Sequence, residues 1–118
     1  MNLVIKKEEN YSYVRITNER LDSFISSELK AEFVMLVNKG DNKIILDLRD
    51  CVYSDSSGLS AILVGNRLCE DSKGTFIICN LSIGVEKLVK LAMLDTILMI
   101  ASSKEEAERM LMQKIELS

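Results

Sequence analysis

The 118-residue sequence contains no His, no Pro and no Trp. Without His there is no Ser-His-Asp or Cys-His catalysis, no imidazole ligand for zinc or haem, and no side chain that titrates unperturbed near neutrality. Most hydrolase chemistry is thereby set aside. Cysteine is sparse, with only Cys51, Cys69 and Cys79, an odd number at spacings that match no zinc motif. Each has apolar neighbours, so reduced, buried thiols in a cytoplasmic protein are expected. No run of about eighteen apolar residues occurs, and Met1 to Glu9 turns charged too early for a signal peptide. Neither membrane insertion nor export is expected, and the Asn-x-Ser triplets at Asn10 and Asn80 then read as chance matches.

A dominant charge is missing too. With 15 basic and 18 acidic residues the net charge is −3, which offers no broad footprint for nucleic acid or an anionic membrane. Proteins or small molecules are the expected partners. A chain of this length buries roughly two-thirds of its unfolded surface, enough for a core without staples. No Pro-rich or Gly/Ser-rich linker, repeat or low-complexity run divides it, so a single domain over 1–118 is expected.

The residues that are present alternate between strand and helix patterns. Leu3 to Lys6 and Tyr11 to Thr17 are short β-type runs around Glu8-Glu9-Asn10, which predicts an antiparallel hairpin at the start. From Ser23 to Asn38, Ile25, Leu29, Phe33, Leu36 and Val37 recur at helical spacing, with Asp22 or Ser23 as N-cap and Gly40 as terminator. Lys43 to Leu48, Thr75 to Cys79 and Ile97 to Ile100 are near-continuous apolar runs, as in strands covered on both faces. Between them, Ser57 to Ser72 reads as a helix stopped by Lys73-Gly74, and Ser82 to Ala92 as another with Val85, Leu88, Val89 and Leu91 as its stripe. The chain finishes in a helix opened by Ser102 or Ser103 with Glu105 or Glu106, burying Ala107, Met110, Leu111 and Ile115. This alternation predicts an α/β fold with parallel crossover units.

One segment asks for more than a structural explanation: Ser54-Asp55-Ser56-Ser57-Gly58-Leu59, with three hydroxyls in a row of four. It follows the carboxyl end of a predicted central strand, where open α/β sheets place their functional crevices. Ser and Asp also make good N-caps, and Gly58 allows close packing at a helix start, with Ser57 the better cap candidate of the two central serines. A helix start can hold a phosphate, either on a ligand or carried covalently on a Ser. The phosphate-loop and dinucleotide glycine patterns are absent, as is the nucleophile elbow, and no base stands ready to activate a Ser. Covalent modification of an exposed Ser by another enzyme is the economical reading. Gly58 would serve either helix packing or the approach of a partner's backbone.

Other features have plain explanations. Met93, Met99, Met110 and Met112 read as gap-filling core or a docking patch. Glu105, Glu106 and Glu108 read as a solvated helix face that complements the dipole.

Asp47-Leu48, followed by Val52-Tyr53-Ser54-Asp55-Ser56-Ser57-Gly58-Leu59, resembles the signature of the STAS domain in stand-alone bacterial anti-sigma factor antagonists. The resemblance implies a mixed, mostly parallel sheet of about five strands flanked by about four helices, with no cofactor and no catalysis of its own. It implies that the first hydroxyl after the Asp, Ser56, accepts phosphate from an ATP-dependent serine kinase that is also the anti-sigma factor, with Ser57 the second choice. The unphosphorylated chain would bind that kinase, and phosphate would end the binding. Asp22, Asp55, Ser57, Gly58 and Leu59 would form the switch and partner surface. Leu21-Asp22 is similar to a Leu-Asp pair of the family and would set a carboxylate beside the site. This chain has Ser54 where the family has an apolar residue, and Met93 where it has a Gly late in the third helix. A different expectation for the same fold is an unphosphorylated STAS subunit of a lipid-type transporter or a stress-signalling scaffold, in which the Ser loop only docks.

Overall fold

A computed structural model describes residues 2–117. Strands β1 (Leu3–Lys7) and β2 (Ser12–Ile16) form the antiparallel hairpin, with Leu3 opposite Ile16. A two-residue strand β3 (Arg20–Leu21) then leads into helix α1 (Ser23–Asn38). Next come β4 (Lys43–Asp47), a second two-residue strand β5 (Tyr53–Ser54), α2 (Ser56–Asp71), β6 (Thr75–Cys79) and α3 (Ile83–Leu91). A 3₁₀ turn (Leu94–Thr96), β7 (Met99–Ala101) and α4 (Lys104–Leu117) complete the chain. The main sheet has the order β1-β2-β4-β6-β7 and is parallel except for the hairpin.

The continuous apolar runs are explained by two covered faces. Ile44 and Leu46 of β4, with Phe76 and Ile78 of β6, face a core shared with Leu29, Phe33 and Ile62 of α1 and α2. Ile45, Ile77 and Cys79 face the other way, onto Ala107 and Leu111 of α4. Successive strand residues point to opposite faces, so only a strand buried on both sides can be apolar at every position. Gly65 lets α2 approach closely, because a Cβ there would lie 2.7 Å from both Phe33 and Phe76.

Helix boundaries follow the caps. Asp22, not Ser23, caps α1, accepting from the amides of Phe24 and Ile25, and Gly40 follows the helix end at φ +93°. Asp55 caps α2, so that helix starts one residue before the predicted Ser57. The carboxylate reaches the Gly58 amide, and the Ser57 hydroxyl donates to it instead of capping. In α4 the capping pair is Ser103 and Glu106.

Four expectations are refined near the carboxyl end. The strand expected from Ile97 begins at Met99, because buried Leu94 and Leu98 draw the preceding segment into a 3₁₀ turn. Leu91 is 82% exposed: Val85 and Val89 take the buried face of α3, and two further residues rotate the helix by about 200°. Among the methionines, Met99 and Met110 pack at the margin of the second core, whereas Met93 and Met112 face solvent. Glu106 and Glu108 are not merely solvated, since they accept from the Ser102 amide and the Tyr11 hydroxyl.

Met93 follows α3 at φ +58°, in the left-handed region where a side chain is strained. Its side chain is 67% exposed, so little packing offsets that strain. A Met93→Gly variant is expected to be more stable by about 1 kcal/mol, read as a higher urea midpoint at unchanged slope.

Candidate functional site

The site is assembled by the two short strands that sequence patterning does not reveal. They are too short for any periodicity to register, yet their parallel pairing sets Arg20 opposite Tyr53 and Leu21 opposite Ser54. Further bonds lock the pairing: the amides of Val52 and Asp55 donate to the carbonyls of Glu19 and Leu21. Arg20 also stacks over the Tyr53 ring at 4.5 Å. The next residues on the two strands, Asp22 and Asp55, are therefore the N-caps of adjacent, packed helices.

The three motif hydroxyls have different surroundings. Ser54 is buried, and its Oγ donates to the carbonyl of Asp55 at 3.0 Å. Ser57 is half-buried; its Oγ donates to Asp55 Oδ1 at 2.5 Å and lies 3.5 Å from Ser26 Oγ of α1. Ser56 is exposed at the first position of α2, and its hydroxyl has no hydrogen-bond partner among the described residues. The Ser57 hydroxyl and the Gly58 amide hold the Asp55 carboxyl below the usual carboxylate range, so the residue beside Ser56 is anionic at neutral pH. Asp22 comes to the same end of the fold, but its carboxylate is occupied with the first turn of α1.

Gly58 is buried, and the space a side chain would need is filled from within the chain. A Cβ would lie 2.1 Å from Ser54 Oγ and 2.8 Å from the Leu21 carbonyl oxygen. Ser54 can rotate away, but the Leu21 backbone is held by the β3–β5 ladder. A Gly58→Ala variant is expected to lose about 1–3 kcal/mol of stability in denaturant titration, with the Asp55 amide exchanging hydrogen faster. Leu59 is half-buried against the first core.

Exposed apolar side chains surround the hydroxyl end: Phe24 after Ser23, Val52 and Tyr53 before the motif, and Ile83 at the start of α3. The α3 start lies against this segment, since a Cβ at Gly84 would be 3.1 Å from the Val52 carbonyl oxygen.

The connection from β4 to the site is anchored by a second cluster. Asp47 is fully buried and accepts from Tyr13 (2.6 Å), from Asn80 (3.0 Å), and from the Arg49 guanidinium and amide. Burial pushes its carboxyl up, but the hydrogen bonds from Arg49, Tyr13 and Asn80 outweigh this and hold it below the ordinary value. Sequence reading picked out Asp47-Leu48 only as part of a signature; nothing in it signalled Tyr13 and Asn80, which come from β2 and from just beyond β6.

Cys51, Cys69 and Cys79 are free and buried, with thiols pushed up to about 12 by desolvation. They are poor nucleophiles at neutral pH. No described helix is long and apolar enough to cross a membrane.

The model of the STAS domain matches residues 2–107. The chain belongs to the STAS domain family. BtrV of Bordetella bronchiseptica, named as an anti-sigma factor antagonist, is 28% identical over 87 residues, covering 74% of this chain and 75% of BtrV. A Thermotoga maritima protein described as an anti-sigma factor antagonist superposes with a TM-score of 0.82 at 27% identity, over 92% of this chain and 93% of that one. The phosphorylated form of SpoIIAA from Bacillus shares the fold, with a TM-score of 0.72 at 22% identity over 92% and 98% of the two chains. The mixed, mostly parallel five-stranded sheet and the four helices are thus those of a STAS domain, as the resemblance implied.

Proposed function

We propose that this STAS domain is an anti-sigma factor antagonist acting in the cytoplasm as a protein-binding switch. The unphosphorylated chain binds an ATP-dependent anti-sigma serine kinase, and phosphate on Ser56 ends the binding. One observation carries this reading: of the three motif hydroxyls, only that of Ser56 is exposed and without a hydrogen-bond partner among the described residues. The names of the relatives from Bordetella and Thermotoga support the choice of partner class.

The chain contributes a presented hydroxyl and does no catalysis of its own. The start of α2 tolerates a phosphate, because its unpaired amides and dipole favour negative charge. Asp55 and the half-buried Ser57 keep the turn rigid, and Asp22 holds the neighbouring helix start in place. Leu59 and the exposed apolar side chains around Ser56 are the surface that the kinase covers. The base that takes the hydroxyl proton and the nucleotide both belong to the kinase.

The test is phosphate uptake, measured by intact mass with purified anti-sigma kinases of the same genome and ATP. Ser56→Ala is expected to lose the phosphate mapped to that site and still bind the kinase. Continued modification of Ser56→Ala at Ser57 would move the acceptor there, and absence of modification in the parent chain would support the reading of a docking element that is never phosphorylated.

A further inference from the structure

The sheet ends in two edges that are guarded differently. At β1 the edge carries Lys6 and Lys7, with Lys7 bonded to Asp41. Charged side chains of this kind deter another strand from pairing. At β7 the edge lies in the uncharged run Ile97-Leu98-Met99-Ile100-Ala101, and the backbone N–H and C=O groups on its outer side have no strand partner among the described residues. The turn that leads into it exposes three large apolar side chains: Leu91 (82%), Met93 (67%) and Ile97 (57%).

We propose that this edge, with Leu91, Met93 and Ile97, is a self-association surface that pairs β7 with β7 of a second copy of the chain.

The backbone supports a contact here. Met93 holds φ +58°, which a Gly adopts without strain, while its own side chain gains little packing in return. A strained, exposed apolar residue beside two others is what a contact surface retains and an isolated monomer does not need. The recess beside the edge, whose walls include Phe76, Ile97 and Met99, holds about 140 Å³. Small-molecule sites run to about 300–1,000 Å³, so this one fits a single side chain and not a metabolite.

The charges favour a second copy over a partner of one dominant sign. Lys87 of α3 and Asp95 of the 3₁₀ turn have no ion-pair partner among the described residues, while Lys90 is held by Glu86. About a two-fold axis each contact occurs twice with the roles exchanged, so Lys87 of either copy can meet Asp95 of the other. The size of the patch sets the strength. Three side chains and a three-residue strand fall short of the roughly 800 Å² per partner of a standard interface, so the dimer is weak. Ile83, which borders the Ser56 surface, and Leu91 are the first and last of the 9 residues of α3, about 12 Å apart along its axis. A dimer through β7 therefore leaves Ser56 open on both copies.

Sedimentation equilibrium of the full chain, from low micromolar to millimolar concentration, tests the surface. A reversible monomer–dimer equilibrium is expected for the parent, with loss of the dimer in Ile97→Lys and an unchanged dimer in Val4→Lys on the β1 edge. Met93→Gly is expected to weaken the dimer by about tenfold, since each dimer loses two buried side chains, while raising the urea midpoint of the monomer. A role in folding alone does not move these two readings in opposite directions, and Met93→Gly keeps the test decisive if Ile97→Lys does not fold. A parent that stays monomeric to millimolar concentration overturns the inference, as does a dimer that Ile97→Lys and Met93→Gly leave intact. A monomeric parent whose binding to an anti-sigma kinase falls in Ile97→Lys also overturns it, and assigns the patch to that kinase.

Discussion

An Asp47→Ala variant is expected to unfold about 3 kcal/mol more easily than the parent chain, measured by urea titration. The carboxylate is fully buried and joins Tyr13 of β2, Arg49 after β4 and Asn80 after β6. Its removal leaves the Tyr13 hydroxyl and the Asn80 amide without their acceptor, and unmet buried polar groups cost about 1–3 kcal/mol each. Arg49 matters less, because its side chain is 44% exposed and regains water. Breaking a buried ion pair costs about 3–5 kcal/mol in general, so the lower end applies.

The same cluster sets a pH dependence at both extremes. The Asp47 carboxyl is lowered in the fold, so its contribution is present above the unfolded value near 3.9 and is lost as pH falls through the folded value. The Tyr13 hydroxyl is raised to about 12, first by burial and then by its bond to Asp47. Its contribution is complete below pH 10 and is lost as pH rises through about 12. Asp47→Ala should therefore flatten the loss of stability on the acid side and weaken it on the alkaline side.

Phosphate on Ser56 is expected to weaken the kinase complex by about a hundredfold or more. It adds roughly −1.5 to −2 charges at neutral pH. Asp55 beside it is already anionic. A partner face that covers the apolar side chains of Phe24, Val52, Tyr53 and Ile83 must exclude water there, and charge taken into such a contact is poorly screened. Like charges brought together across an interface cost several kcal/mol, and about 3 kcal/mol already exceeds a hundredfold in Kd. Ser56→Asp adds only a single charge and is expected to weaken binding by about tenfold. The fold should tolerate both changes, since the exposed Ser56 hydroxyl has no hydrogen-bond partner among the described residues and the helix start favours negative charge.

Much of this was legible where a pattern extends over several residues. The span of α1 follows from Ile25, Leu29, Phe33 and Leu36, and the both-sides burial of β4 and β6 from uninterrupted apolar runs. The Asp-Ser-Ser-Gly motif also announced itself by composition. Legibility failed where tertiary contacts decide. Strands β3 and β5 have two residues each and exist because they pair with one another, and that pairing brings the two helix starts together. Which hydroxyl is free depended on Asp55 taking the cap and engaging Ser57, a choice among three good capping residues. The close packing of Gly58 against Leu21 likewise spans a gap in sequence that no local pattern registers.

Coupling between phosphate at Ser56 and kinase binding is the core of the proposed switch. Calorimetric titration of the anti-sigma kinase with the unmodified chain, and with the chain carrying phosphoserine at position 56, tests it most directly. A Kd at least about a hundredfold weaker for the phosphorylated chain, with an unchanged unfolding midpoint, is the predicted result. Equal affinity of the two forms would contradict it.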